Sequence, residues 1–207
     1  MKEIKHLINT ALLLSVFTIV YNLLEGIISM YFGYHDETLA LFGFGIDSFV
    51  EVFSGLGILN MVLISKQNSE NSFLNEKLAL RITGVSFYIL SISLIFTSIV
   101  NIYNGHNPLT TKWGIVISII SITVMWWLII KKKDVGTALK SDAIIADANC
   151  TKVCMQLSIV LLLSSTFYHM FSIGYFDSIG ALFIAYFSIK EGKESLQKAK
   201  NNKVCCK

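Results

Sequence analysis

The stretch Thr38-Leu-Ala-Leu-Phe-Gly-Phe-Gly-Ile-Asp47-Ser-Phe-Val-Glu51-Val-Phe-Ser-Gly-Leu-Gly-Ile-Leu-Asn-Met-Val-Leu-Ile-Ser65 decides the fold. It is longer than the roughly 20 residues a helix needs to cross hydrocarbon, and Asp47 and Glu51 are its only charged residues. In lipid every backbone amide must be satisfied within its own segment, so such a run is a helix. Working outward, similar runs fill the chain. Six spans can be drawn, at about 7–31, 38–65, 78–102, 112–130, 138–166 and 173–190.

Composition agrees. The 207 residues are 54% hydrophobic and only 15% charged, where a soluble domain carries about 25% charged residues. A large buried core would still need a charged surface, so the deficit excludes a soluble globular protein. The first run is too long for the apolar segment of a cleaved signal peptide and no small-residue cleavage pattern follows it. We read it as a helix of the mature protein.

Lysine and arginine placement gives the orientation. Lys2 and Lys5 precede the first span; Lys66, Lys77 and Arg81 lie around the second connection. Lys131, Lys132, Lys133 and Lys140 lie around the fourth, and Lys190, Lys193, Lys198, Lys200, Lys203 and Lys207 form the tail. The opposite connections hold Lys112, beside the acidic Asp36, Glu37 and Asp177. Both termini are therefore expected in the cytoplasm of a multi-pass plasma-membrane protein. The expected fold is an all-α, six-transmembrane-helix bundle over residues 1–195, N-in and C-in, without a soluble domain. Residues 196–207 are expected to form a basic, cysteine-containing cytoplasmic tail. The basic residues sit at helix ends rather than in one patch, so no nucleic-acid partner is indicated. Trp113, Trp126, Trp127, Tyr31 and Tyr103 near span ends read as an interfacial belt.

A charged side chain inside a span costs roughly 2.5–3.5 kcal/mol on insertion scales, so each one is a functional hypothesis. Asp47 and Glu51 are four residues apart and share one helix face. At 1.5 Å per residue they lie about 13 and about 20 Å from the outer end of the second span. Cys150 and Cys154 repeat the spacing in the fifth span, about 15 and about 21 Å from its inner end. Two cysteines in an apolar helix are usually small buried hydrophobes, but here their depth matches that of the carboxylates. Two carboxylates and two thiolates make a four-coordinate set that zinc or cadmium accepts. No cysteine falls in an expected external connection, so no disulfide framework is indicated.

The surrounding polar residues leave alternatives open. Lys152 could favour the thiolates, although two residues from either it projects from another face. Asp147 could line an access path, cap a neighbouring helix or pair with Lys152. Asn22 and Glu25 share a face of the first span and either support the second helix or contact the ion. His35 with Asp36 and Glu37 reads as a solvated external connection, and His169 as interfacial. Cys205 and Cys206 could collect metal, be acylated or be inert. No nucleotide-binding loop and no nucleophile–base pair is visible, so an enzyme is not expected.

These residues resemble the cation diffusion facilitator (cation efflux) family. The stretch from Thr38 to Glu51 is similar to that family's second helix, where an acidic or histidine residue four positions before an aspartate binds the ion. The stretch Asp147-Ala-Asn-Cys150-Thr-Lys-Val-Cys154 stands in register with its fifth-helix pattern of aspartate-alanine, one residue, histidine, three residues, aspartate. Asn22 with Glu25-Gly26, and Asp177 to Glu191-Gly192, add to a resemblance over about residues 10–195. Cys150 and Cys154 replace the histidine and aspartate, which softens the site. The cytoplasmic metallochaperone-like domain common in the family has no counterpart, as in its short "cation transporter" branch. The resemblance implies efflux of a divalent metal ion as substrate, zinc first and cadmium or cobalt as alternatives, in exchange for protons. It implies no organic cofactor, with the lipid bilayer and a homodimer partner as surroundings. Two other readings are a non-transporting metal sensor or assembly partner, and a membrane thiol oxidoreductase. The latter's reactive cysteines are usually separated by two residues rather than three.

Overall fold

A computed structural model describes residues 2–35, 39–67, 72–104, 112–171 and 175–201. They form six helices: α1 (Lys2–His35), α2 (Leu39–Gln67), α3 (Ser72–Asn104), α4 (Lys112–Leu139), α5 (Asp142–Phe171) and α6 (Tyr175–Asn201). No strand occurs among the described residues. The first five are long and apolar enough to cross a membrane. In α6 the apolar part gives way at Lys190 to a charged half. That apolar part nevertheless lies along α3: Ser188 Oγ donates to the Phe87 carbonyl at 3.0 Å and Ser91 Oγ to the Ala185 carbonyl at 3.3 Å.

Several helices run past the ends drawn from hydropathy, because charge ends an apolar run without ending a helix. The fourth span is drawn to Ile130 and α4 continues to Leu139; the sixth span is drawn to Lys190, and α6 continues through the lysine-rich segment to Asn201. α3 begins six residues before Leu78, at Ser72. α5 starts later than the expected Ala138, because Lys140 breaks the chain with a left-handed φ of 52°. Around it the Lys140 and Ser141 amides donate to the Thr137 and Gly136 carbonyls. Ser141 then caps α5, its hydroxyl accepting the Ile144 amide at 3.4 Å and donating to Glu76 Oε1 at 2.8 Å. This turn folds α4 and α5 into an antiparallel hairpin.

The helices close into a ring in the order α1, α2, α3, α6, α5, α4, with α2 and α3 also touching α5 across the middle. At two crossings glycine faces glycine across the backbones. A Cβ on Gly45 would lie 2.9 Å from the Gly26 carbonyl oxygen, and one on Gly26 3.1 Å from that of Gly45. Gly84 and Gly192 repeat the arrangement between α3 and α6, at 3.3 and 3.1 Å. Small residues at such crossings let helices approach where lipid supplies no hydrophobic drive. Large apolar side chains such as Leu13, Phe96, Trp126 and Phe183 lie on the outside of the bundle, as lipid-facing residues do, while hydroxyls and carboxylates turn inward. Asp36, Glu37, Cys205 and Cys206 lie outside the described residues, as does the His169 side chain.

Candidate metal site

Seven of the eight residues singled out from the sequence are buried in this interior. Asp47, Glu51, Cys150, Cys154, Asn22, Glu25 and Asp147 are each 6% exposed or less. Lys152 is the exception and is exposed. It stands on the outer surface of α5, away from the cysteines' buried face.

The register of α2 against α5 is fixed by Ser54, whose hydroxyl donates to Asp147 Oδ1 at 2.8 Å. The helices run antiparallel, so three residues from this point bring Glu51 and Cys150 to one level, about 4.5 Å away. Seven residues bring Asp47 and Cys154 to one level, about 10.5 Å away. Side chains on a helix lean toward its N-terminus. Glu51 therefore leans toward the Asp47 end and Cys154 leans back toward it. The two meet: Cys154 and Asn22 lie beside the Glu51 carboxylate, which also feels the charges of Lys132 and Asp147, and Cys150 lies beside Cys154.

None of these contacts satisfies the polar atoms. Both Glu51 carboxylate oxygens, Asp47 Oδ1 and both amide atoms of Asn22 are buried without a hydrogen-bond partner among the described residues. Buried polar groups in folded proteins are nearly always paired, and the cost of leaving one unpaired rises in hydrocarbon. Both cysteines are free thiols. Asp47 opens onto a cavity of about 40 Å³, bounded also by Ser98, Thr97 and Leu157. That exceeds the roughly 10–15 Å³ needed to hold one water. Among the described residues no three His, Cys, Asp or Glu side chains stand close enough to hold a metal ion. The fold thus brings the four expected ligands into one region of the α2–α5 interface without closing them into a cluster.

Glu25 has a different role. It accepts hydrogen bonds from Tyr21 Oη at 2.8 Å and from Ser48 Oγ at 3.1 Å. Ser48 is on α2, next to Asp47, so Glu25 supports the second helix. Asp147 pairs with Lys132 at 2.7 Å rather than with Lys152, and both side chains are almost fully buried.

The sequence reading placed Lys131, Lys132 and Lys133 in the connection after the fourth span, but all three lie in α4 and Lys132 turns into the interior. The signal was present. Ser118, Ser121, Met125, Leu128, Lys132 and Val135 form one buried stripe of α4 at spacings of three and four, whereas Lys131 and Lys133 are exposed. Ser54, Thr83 and Thr151, which surround the pair, carried no signal, because hydroxyls are ordinary in such helices. On the far side of α5, Asn149 Nδ2 donates to Glu191 Oε2 at 3.0 Å and ties α5 to α6.

Among known protein families, the one described as the cation efflux transmembrane domain matches residues 11–200. No curated protein matches the chain.

Proposed function

Since the chain belongs to the cation efflux family, whose members are membrane cation transporters, we propose that it exports a soft divalent cation, zinc or cadmium, in exchange for protons. Asp47, Glu51, Cys150 and Cys154 are the proposed ligands. The observation that carries this reading is Glu51: a carboxylate fully enclosed in the bundle, neither oxygen in a formed hydrogen bond among the described residues, beside a thiol from the facing helix. Such a group is stable only when neutralised by a proton or a cation. Thiols and carboxylates must lose protons to bind metal, so metal and protons compete for the same atoms. Binding weakens as pH falls, and a proton gradient directed inward favours release of the metal outward. On this reading α2 and α5 shift against each other on metal binding and draw the ligands together. In this reading the membrane is the plasma membrane and both chain ends face the cytoplasm.

The test is metal flux in proteoliposomes. Zinc or cadmium should move against an imposed pH gradient, and Asp47→Ala or Cys154→Ala should abolish movement while the protein inserts normally. Undiminished flux in both variants would remove these residues from the site. Tight metal binding by the wild type without any flux would identify a sensor instead.

A further inference from the structure

The Lys132–Asp147 pair sits between the proposed ligands and one end of the bundle. Asp147 is three residues before Cys150, and Ser54 is three residues beyond Glu51. The pair is the centre of a network that joins four helices. Lys132 Nζ reaches Asp147 Oδ2 at 2.7 Å and donates to Thr151 Oγ1 at 2.9 Å. Ser54 Oγ occupies the other carboxylate oxygen at 2.8 Å and lies 3.0 Å from Thr83 Oγ1. Thus one polar network links α2, α3, α4 and α5 at this level.

The two sides of that level differ. Toward the α4–α5 turn, a cavity of about 270 Å³ is bounded by Ile8, Met61, Ser65, Glu76, Ser141 and Ile144. Ile144 is about one helical turn short of Asp147. On the other side lie the enclosed Glu51, Cys150 and Cys154. The pair therefore separates a vestibule from a buried site.

We propose that the Lys132–Asp147 ion pair is the gate between this vestibule and the Glu51–Cys154 site. The proposal rests on the reading of those residues as ligands. The chemistry suits a gate for cations. Each member of a buried ion pair needs its counter-charge, so the pair holds closed while alone. An arriving divalent cation offers Asp147 a replacement for the ammonium, which frees Lys132 and loosens α4 from α5. An apolar plug would have no such means of recognising a cation. Lys132 acts here as a positioning residue, whereas Asp147 holds the helices until the arriving ion takes the place of the ammonium.

The native thiols report on the gate. In a Cys205→Ser, Cys206→Ser background, Cys150 and Cys154 are labelled with a cationic, membrane-impermeant methanethiosulfonate. The reagent is applied to the vestibule face or to the opposite face of oriented vesicles, without metal. Lys132→Met, and the double variant Lys132→Met with Asp147→Asn, should raise the labelling rate from the vestibule face at least tenfold and leave the opposite face unchanged. An unchanged rate from the vestibule face, or an equal rise from both faces, would overturn the gate. The double variant removes both charges of the pair together, so it gives the reading even where the single variant fails to fold. Cadmium–thiolate absorbance of the wild type tests the ligands separately. Its absence would remove the site reading and leave the labelling result standing.

Discussion

At the scale of single residues, the proposed metal preference turns on Cys150 and Cys154. Thiolates prefer soft ions, and imidazole and carboxylate suit harder ones. Replacing the pair by Cys150→His and Cys154→Asp keeps two ligands on the same buried face of α5 while removing both sulfurs. The double variant should lower the affinity for cadmium relative to zinc by about tenfold or more, equivalent to about 1.4 kcal/mol. Competitive binding of the two ions to purified protein measures it, and an unchanged ratio would mean that the sulfurs are not ligands. Glu25 offers a contrast in role. Its oxygens are occupied by Tyr21 and Ser48, so Glu25→Gln should affect stability before it affects metal preference.

At the scale of the helices, the bundle depends on places where backbones touch. A Cβ at Gly45 would come within 2.6 Å of Met30 Cγ as well as 2.9 Å of the Gly26 carbonyl, whereas one at Gly43 would meet only the Thr97 side chain, at 3.2 Å. Overpacking of this kind costs about 1–3 kcal/mol. Gly45→Ala should therefore lower the melting temperature in detergent clearly more than Gly43→Ala, since a backbone carbonyl cannot turn aside as a threonine can. Equal shifts would mean that α1 and α2 separate freely at this crossing. Helix ends teach a related lesson. The hydropathy of α4 falls at Lys131, but the helix runs to Leu139, because backbone hydrogen bonding is indifferent to the charge of the side chains.

At the scale of the whole molecule, the ring of six helices puts both chain ends at the same end of the bundle if every helix crosses. Reporters fused to the two termini should be protected or accessible together, and on the cytoplasmic side by the lysine bias. Opposite accessibility would mean that one helix, with α6 the weakest candidate, does not cross. Much of this architecture was legible beforehand: number and approximate position of the helices follow from apolar runs, and burial of Asp47, Glu51, Cys150 and Cys154 from their four-residue spacing. Lys132 was not legible from hydropathy, because a lysine beside two others looks like the edge of the membrane.

What the sequence determined by itself is the set of helices, their membrane character, and which faces carry buried ionisable residues, since length, apolarity and periodicity are local properties of a chain in lipid. What only the tertiary structure decided is which groups pair: that Glu25 belongs to Tyr21 and Ser48, that Asp147 belongs to Lys132, and that among the described residues neither Glu51 oxygen is in a formed hydrogen bond. Pairing depends on the rotation and depth of one helix against another, and here single close contacts fix both: Gly26 on Gly45, Ser54 on Asp147. No property of an isolated segment encodes them.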